Sequence, residues 1–94
     1  MTTISLNQYA PIISDDTIGE EIFTAISNAL SADTVTVDFD GVKSMATFCA
    51  KQIFGRLYKS LGPESFYTKI WIKNANEDIK VIIRMGIVSA LNQN

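Results

Sequence analysis

Two periodicities take turns along this chain, and their alternation limits its fold more than any other feature. Thr3 to Gln8 alternates apolar and polar residues, as a half-buried strand does. Ile18, Ile22, Ala25, Ile26 and Ala29 then recur at three- and four-residue steps, the spacing of one helix face. Thr34 to Phe39 returns to the strand pattern and runs straight into the turn pair Asp40-Gly41. Ala50, Ile53, Phe54, Leu57 and Leu61 form a second helical stripe, over about Phe48 to Leu61, which Gly62-Pro63 stops. Phe66 to Lys73, rich in aromatic and β-branched residues, predicts another strand. A last helix is expected from about Glu77 to Leu91. Strands interleaved with helices predict an α/β fold, a sheet covered by helices, in a single domain over residues 1–94.

Local signals add detail. Tyr9 to Ile13 reads as a short second strand or a bend, held to an edge by Pro11. Ser14-Asp15-Asp16 offers caps for the first helix, Thr17 and Glu20 have the spacing of a capping box there, and Asn74 reads as the cap of the last. Trp71, on the third main strand, is expected in the core.

Residue types that are missing narrow the chemistry. The chain has no histidine, so neither a Ser-His-Asp triad nor a common zinc site is expected. Its five glycines are scattered singly and make no phosphate loop. Cys49 is the one cysteine; without a histidine partner it reads as a packed thiol, and an internal disulfide is excluded. Asp38 and Asp40 stand near a strand end, but two acids and a turn are thin support for Mg²⁺. The expectation is therefore no enzyme, no metal and no cofactor. Apolar runs are too short to cross a bilayer, and Met1 to Gln8 lacks the basic start and apolar stretch of a signal peptide. A cytoplasmic protein is expected, with no membrane partner.

The net charge of −2 conceals an asymmetry: residues 1–42 hold seven acids and no base, residues 43–94 eight bases and three acids. Folding either interleaves these charges or leaves two faces of opposite sign. The bases are spread out, so no nucleic-acid partner is expected.

The stretch Val35–Gly55, VTVDFDGVKSMATFCAKQIFG, resembles a family. A strand ends in Asp-Phe, a Gly-Val turn follows, and after a short loop a helix carries Phe-Gly in its second turn. This is similar to the STAS fold of bacterial anti-sigma-factor antagonists, and more closely to a STAS-like domain family of unknown function. The tail Ile70–Ile83, IWIKNANEDIKVII, matches the same pattern. The resemblance implies a STAS-like mixed β-sheet of about four strands with about three covering helices. It also implies a regulatory surface at the start of the second helix. In the antagonists a serine there is phosphorylated by an ATP-binding, kinase-like anti-sigma partner, and the unmodified form binds that partner.

At that position this chain departs from the pattern. Counted back from Phe54-Gly55 without a gap, the serine position falls on Phe48; a one-residue shift puts Thr47-Phe48 on the family's Ser-Phe. Under the shifted registration Thr47 is the candidate phospho-acceptor and the cap of the second helix. Under the other, Phe48 is a fixed contact or a lid folded onto Met45. The partner-binding set expected from the resemblance is Met45, Thr47, Phe48 and Lys51. The alternative to a phospho-switch is a constitutive docking subunit or homodimer. Its candidate surface is the second apolar stripe of the last helix, Val81, Met85 and Val88, which lies nearly opposite the inward stripe of Ile79, Ile82, Ile83, Gly86 and Ala90.

Overall fold

Thr2–Ser5 form strand β1, and a 3₁₀ turn at Asn7–Tyr9 leads to the two-residue strand β2 (Ile12–Ile13) in the computed structural model, which describes residues 1–92. Helix α1 (Asp16–Leu30) follows. Its cap is Asp15, whose carboxylate accepts from the N–H groups of Thr17 and Ile18 at 2.7 and 3.1 Å. Thr17 is thus inside the helix rather than its cap, because the aspartate one turn-step earlier satisfies the free N–H groups better placed for it. Strand β3 (Val35–Asp38) and the short β4 (Ser44–Met45) come next.

The second helical region starts at Thr47 and runs unbroken to Leu61. It comprises α2 (Thr47–Ala50), a π-helical segment (Lys51–Gly55) and α3 (Arg56–Leu61). The Arg56 N–H reaches the carbonyl of Lys51, five residues back, which defines the widened turn.

Gly62, at φ 83°, ends this region. Pro63 then opens a new helix, α4 (Pro63–Lys69), which takes Phe66–Lys69 out of the strand expected over Phe66–Lys73. Pro63 stands at the first helical position, where its missing N–H costs nothing. The Thr68 hydroxyl closes the same turn onto the carbonyls of Glu64 and Ser65. Strand β5 is therefore only Ile70–Lys73. Helix α5 (Glu77–Leu91) is capped by Asn76, which accepts from the Ile79 N–H at 2.8 Å. Asn74, the expected cap, instead adopts φ 60° between strand and helix.

The expected mixed sheet is two parallel ones: β1-β3-β5, and β2 paired with β4. Each parallel neighbour is reached by a crossover through helix, which hairpins would not require. Register decides which residues meet the helices. Val35 and Val37 pair with Thr2 and Ile4 on one side and with Ile70 and Ile72 on the other. That face joins Ile22, Ile26, Ile53, Phe54, Leu57, Phe66, Ile79 and Ile83 in one core. Each fully buried side chain of this size contributes roughly 1.5–3 kcal/mol.

The opposite face carries Thr3, Thr36 and Trp71 in one row and Ser5, Asp38 and Lys73 in the next. Thr36 alone is buried in these rows, its hydroxyl donating to Met1 Sδ. Trp71, expected in the core, is 54% exposed here, because its register places it beside Thr36 and not beside the valines.

Candidate functional site

The start of α2 is set by what lies before it. β4 pairs with β2, and Ala46 N–H donates to the Ile13 carbonyl at 2.8 Å, so the chain leaves the small sheet and turns directly into helix. Ala46 is the N-cap residue, with no side-chain cap, and Thr47 is the first helical residue rather than the cap. Thr47 is exposed, and its hydroxyl makes no hydrogen bond among the described residues. Phe48 follows, 53% exposed, so it is not a closed lid. Met45 is 2% exposed and belongs to the core, which removes it from the expected contact set.

Phe48 borders a shallow depression of about 260 Å³ shared with Lys51, Gln52, Arg56, Lys59 and Ala90. Its floor is organised from α1. Arg56 donates to Glu20 at 2.7 Å and lies over the Phe23 ring at 3.7 Å. Gln52 Nε2 bonds the Asp16 carbonyl and Glu20. Arg56 and Gln52 hold the Glu20 carboxyl below the usual carboxylate range. The acids of the first half thus meet bases of the second across α1 and α3, so at this place the charges interleave. Lys51 and Lys59 make no ion pair among the described residues. Cys49 is fully buried beneath the site, and burial, then the negative charge of Asp15, pushes its thiol up.

At the other end of β3, Asp38 accepts from the Asp40 N–H and from Asn74 Nδ2, both at 2.9 Å. It ties the Asp40-Gly41 turn to the end of β5, with Gly41 at φ 85°. Asn74 first, then the Asp40 N–H, holds its carboxyl below the usual range, helped by Lys73. No group of three or more potential metal ligands occurs among the described residues.

Stability from Asp38, Glu20 and Asp33, all with lowered values, is present above the unfolded carboxylate pKa and is lost as pH falls through the folded one. Melting temperature should therefore fall below about pH 4. Asp38→Asn should melt lower at neutral pH and lose less on acidification. Thermal melts between neutral and acid pH check this; parallel curves for parent and variant would show that Asp38 has no part in it.

A family model described as a STAS-like domain of unknown function (DUF4325) matches residues 19–80, from within α1 to the first turn of α5. The chain belongs to this family. No curated protein and no solved structure matches it significantly.

The motif residues of this STAS-like domain build the fold. Asp38 clamps the turn, Phe39 and Val42 are buried, and Phe54 packs its ring 6.1 Å from that of Phe39. Gly55 lies where a Cβ would meet Ala90 at 2.7 Å and the Gly86 carbonyl at 2.9 Å. Phe48 and Lys51 border the same depression, and Thr47, next in sequence to Phe48, is exposed. The other expected surface, Val81, Met85 and Val88, lies exposed along α5, with Arg84 and Ser89 beside a depression of about 440 Å³. No helix among the described residues is long and apolar enough to cross a membrane. Sequence reasoning passed over a third surface, at the outer edge of β5, because it depends on strand order.

Proposed function

We propose that this STAS-like domain is a non-catalytic regulatory module that docks an ATP-binding, kinase-like or anti-sigma-like protein through the start of α2. The half-exposed Phe48 carries the reading: an aromatic ring at the head of a helix, next in sequence to the exposed Thr47 and on a depression it shares with Lys51. Such a ring serves as an anchor when a partner's pocket buries it. Thr47 is the phospho-acceptor in this reading. A phosphate there is tolerated by the free N–H groups of the helix start, so the fold survives. Its charge beside Phe48 opposes a close-packed apolar contact, so binding does not.

The test compares parent, Thr47→Glu and Phe48→Ser as baits for the kinase-like partner, with intact-mass measurement of the parent. Phe48→Ser should weaken binding about 30-fold, the effect of losing an interface anchor of about 2 kcal/mol. Thr47→Glu should release the partner, and part of the parent should carry one phosphate. Equal retention by all three, with no phosphate, would remove both Thr47 and Phe48 from the role.

A second reading, constitutive docking as a homodimer, is favoured by the outer stripe of α5. Val81, Met85, Val88 and Leu91 are each about half exposed, and together they span about 15 Å of helix. Met85→Glu should convert dimer to monomer in sedimentation equilibrium. A state unchanged by the substitution would exclude this surface as the contact.

A further inference from the structure

We infer that the outer edge of β5 is a docking groove for an extended, acidic segment of a partner protein, which adds to the sheet as a fourth strand. The inference does not depend on the α2 surface.

The edge is open by topology. In the order β1-β3-β5, β5 bonds only β3. The Lys73 carbonyl accepts from the Phe39 N–H at 2.9 Å, so Lys73 and, by the alternation of a parallel ladder, Trp71 turn their backbone groups to β3. Ile72 then turns both its N–H and its C=O outward. Alongside lies a groove of about 460 Å³ between α4 and α5. Tyr67, Ile72, Ala75 and Ile83 supply its apolar wall, and Lys80 and Arg84 stand on the α5 side. An added strand finds backbone partners at Ile72, and its alternate side chains enter this groove.

Charge selects the occupant. Lys80 shares Glu77 at 3.3 Å, while Arg84 makes no ion pair among the described residues. Lys73 stands exposed on the other face of the strand. Cations therefore border both faces of an incoming strand. A second copy pairing its own β5 here would bring Lys73, Lys80 and Arg84 against their equivalents, the arrangement by which edge lysines oppose self-pairing. An acidic strand meets the same cations with attraction.

The probe is a fluorescein-labelled octapeptide alternating valine and glutamate, with a valine–lysine octapeptide as control. Anisotropy measures binding, and ¹⁵N–¹H chemical shifts locate it. The glutamate peptide should bind and shift Ile72, Asn74, Ala75 and Ile83; the lysine peptide should not bind. Ile72→Pro removes an outward N–H and leaves the bonds to β3 in place, as proline on an edge strand can. It should abolish binding while the melting curve stays cooperative. Arg84→Glu, an independent exposed substitution, should weaken binding about tenfold. No binding up to roughly 1 mM peptide, equal binding of both peptides, shifts away from β5, or concentration-dependent shifts at β5 without peptide would each overturn the inference.

Discussion

Phe54→Ala is expected to destabilise the domain by about 3–5 kcal/mol, most of the margin of a protein this small. The Phe54 side chain is fully buried and its ring meets that of Phe39 across the core. It lies in the π-helical segment, which has core on one side and α5 on the other, so neighbouring side chains cannot collapse into the space without moving a helix. Thermal melting should show a fall of at least about 12 °C for a domain of this size. Because Phe39 shares the contact, Phe39→Ala and the double variant should not be additive, the double losing less than the sum. A loss below about 1 kcal/mol would mean that the cavity refills and that the ring pair does not organise the core.

Gly86→Ala should also destabilise, by about 2 kcal/mol, although alanine is the better helix former by about 1 kcal/mol. A Cβ at Gly86 would lie 2.6 Å from both the Ala50 carbonyl carbon and the Lys51 nitrogen, and 2.8 Å from Ala50 Cβ. Two of these are backbone atoms, which cannot swing aside as a side-chain tip does. The helix α5 must retreat from the π-helical segment, and the Gly55–Ala90 contact opens with it. Denaturant unfolding measures the change. An equal or higher midpoint would show that α5 crosses farther away than these distances require.

Local signals in the sequence were strong where one residue dictates its own geometry. The stripe of Ile22 and Ile26, the valines of β3 and the Asp40-Gly41 turn after it were all legible. Asp38 as a loop clamp was foreseeable too, since a carboxylate beside a tight turn readily accepts turn N–H groups. The second half of α4, Phe66–Lys69, differs from the strand expected there because Phe66, Tyr67 and Thr68 have strand-like side chains. Pro63 and the packing of Phe66 and Tyr67 around Tyr58 outweighed that preference.

The candidate site divides along the same line. Sequence placed Thr47, Phe48 and Lys51 at the head of a helix; Thr47 is the first residue of α2, and Phe48 and Lys51 border one depression. It also placed Met45 there, but Met45 belongs to β4, where strand alternation turns its side chain into the core and leaves Ser44 outside.

Sequence by itself determined the family, the α/β alternation and the motif residues that hold the turn and the core. Those follow from near neighbours: periodicity, caps and turn geometry act over a few residues. Only the tertiary structure decided the parallel pairing, the exposed face that carries Trp71 and the open edge at Ile72. Strand order and register join residues more than thirty positions apart, and no local preference encodes which of two pleat faces will meet the helices.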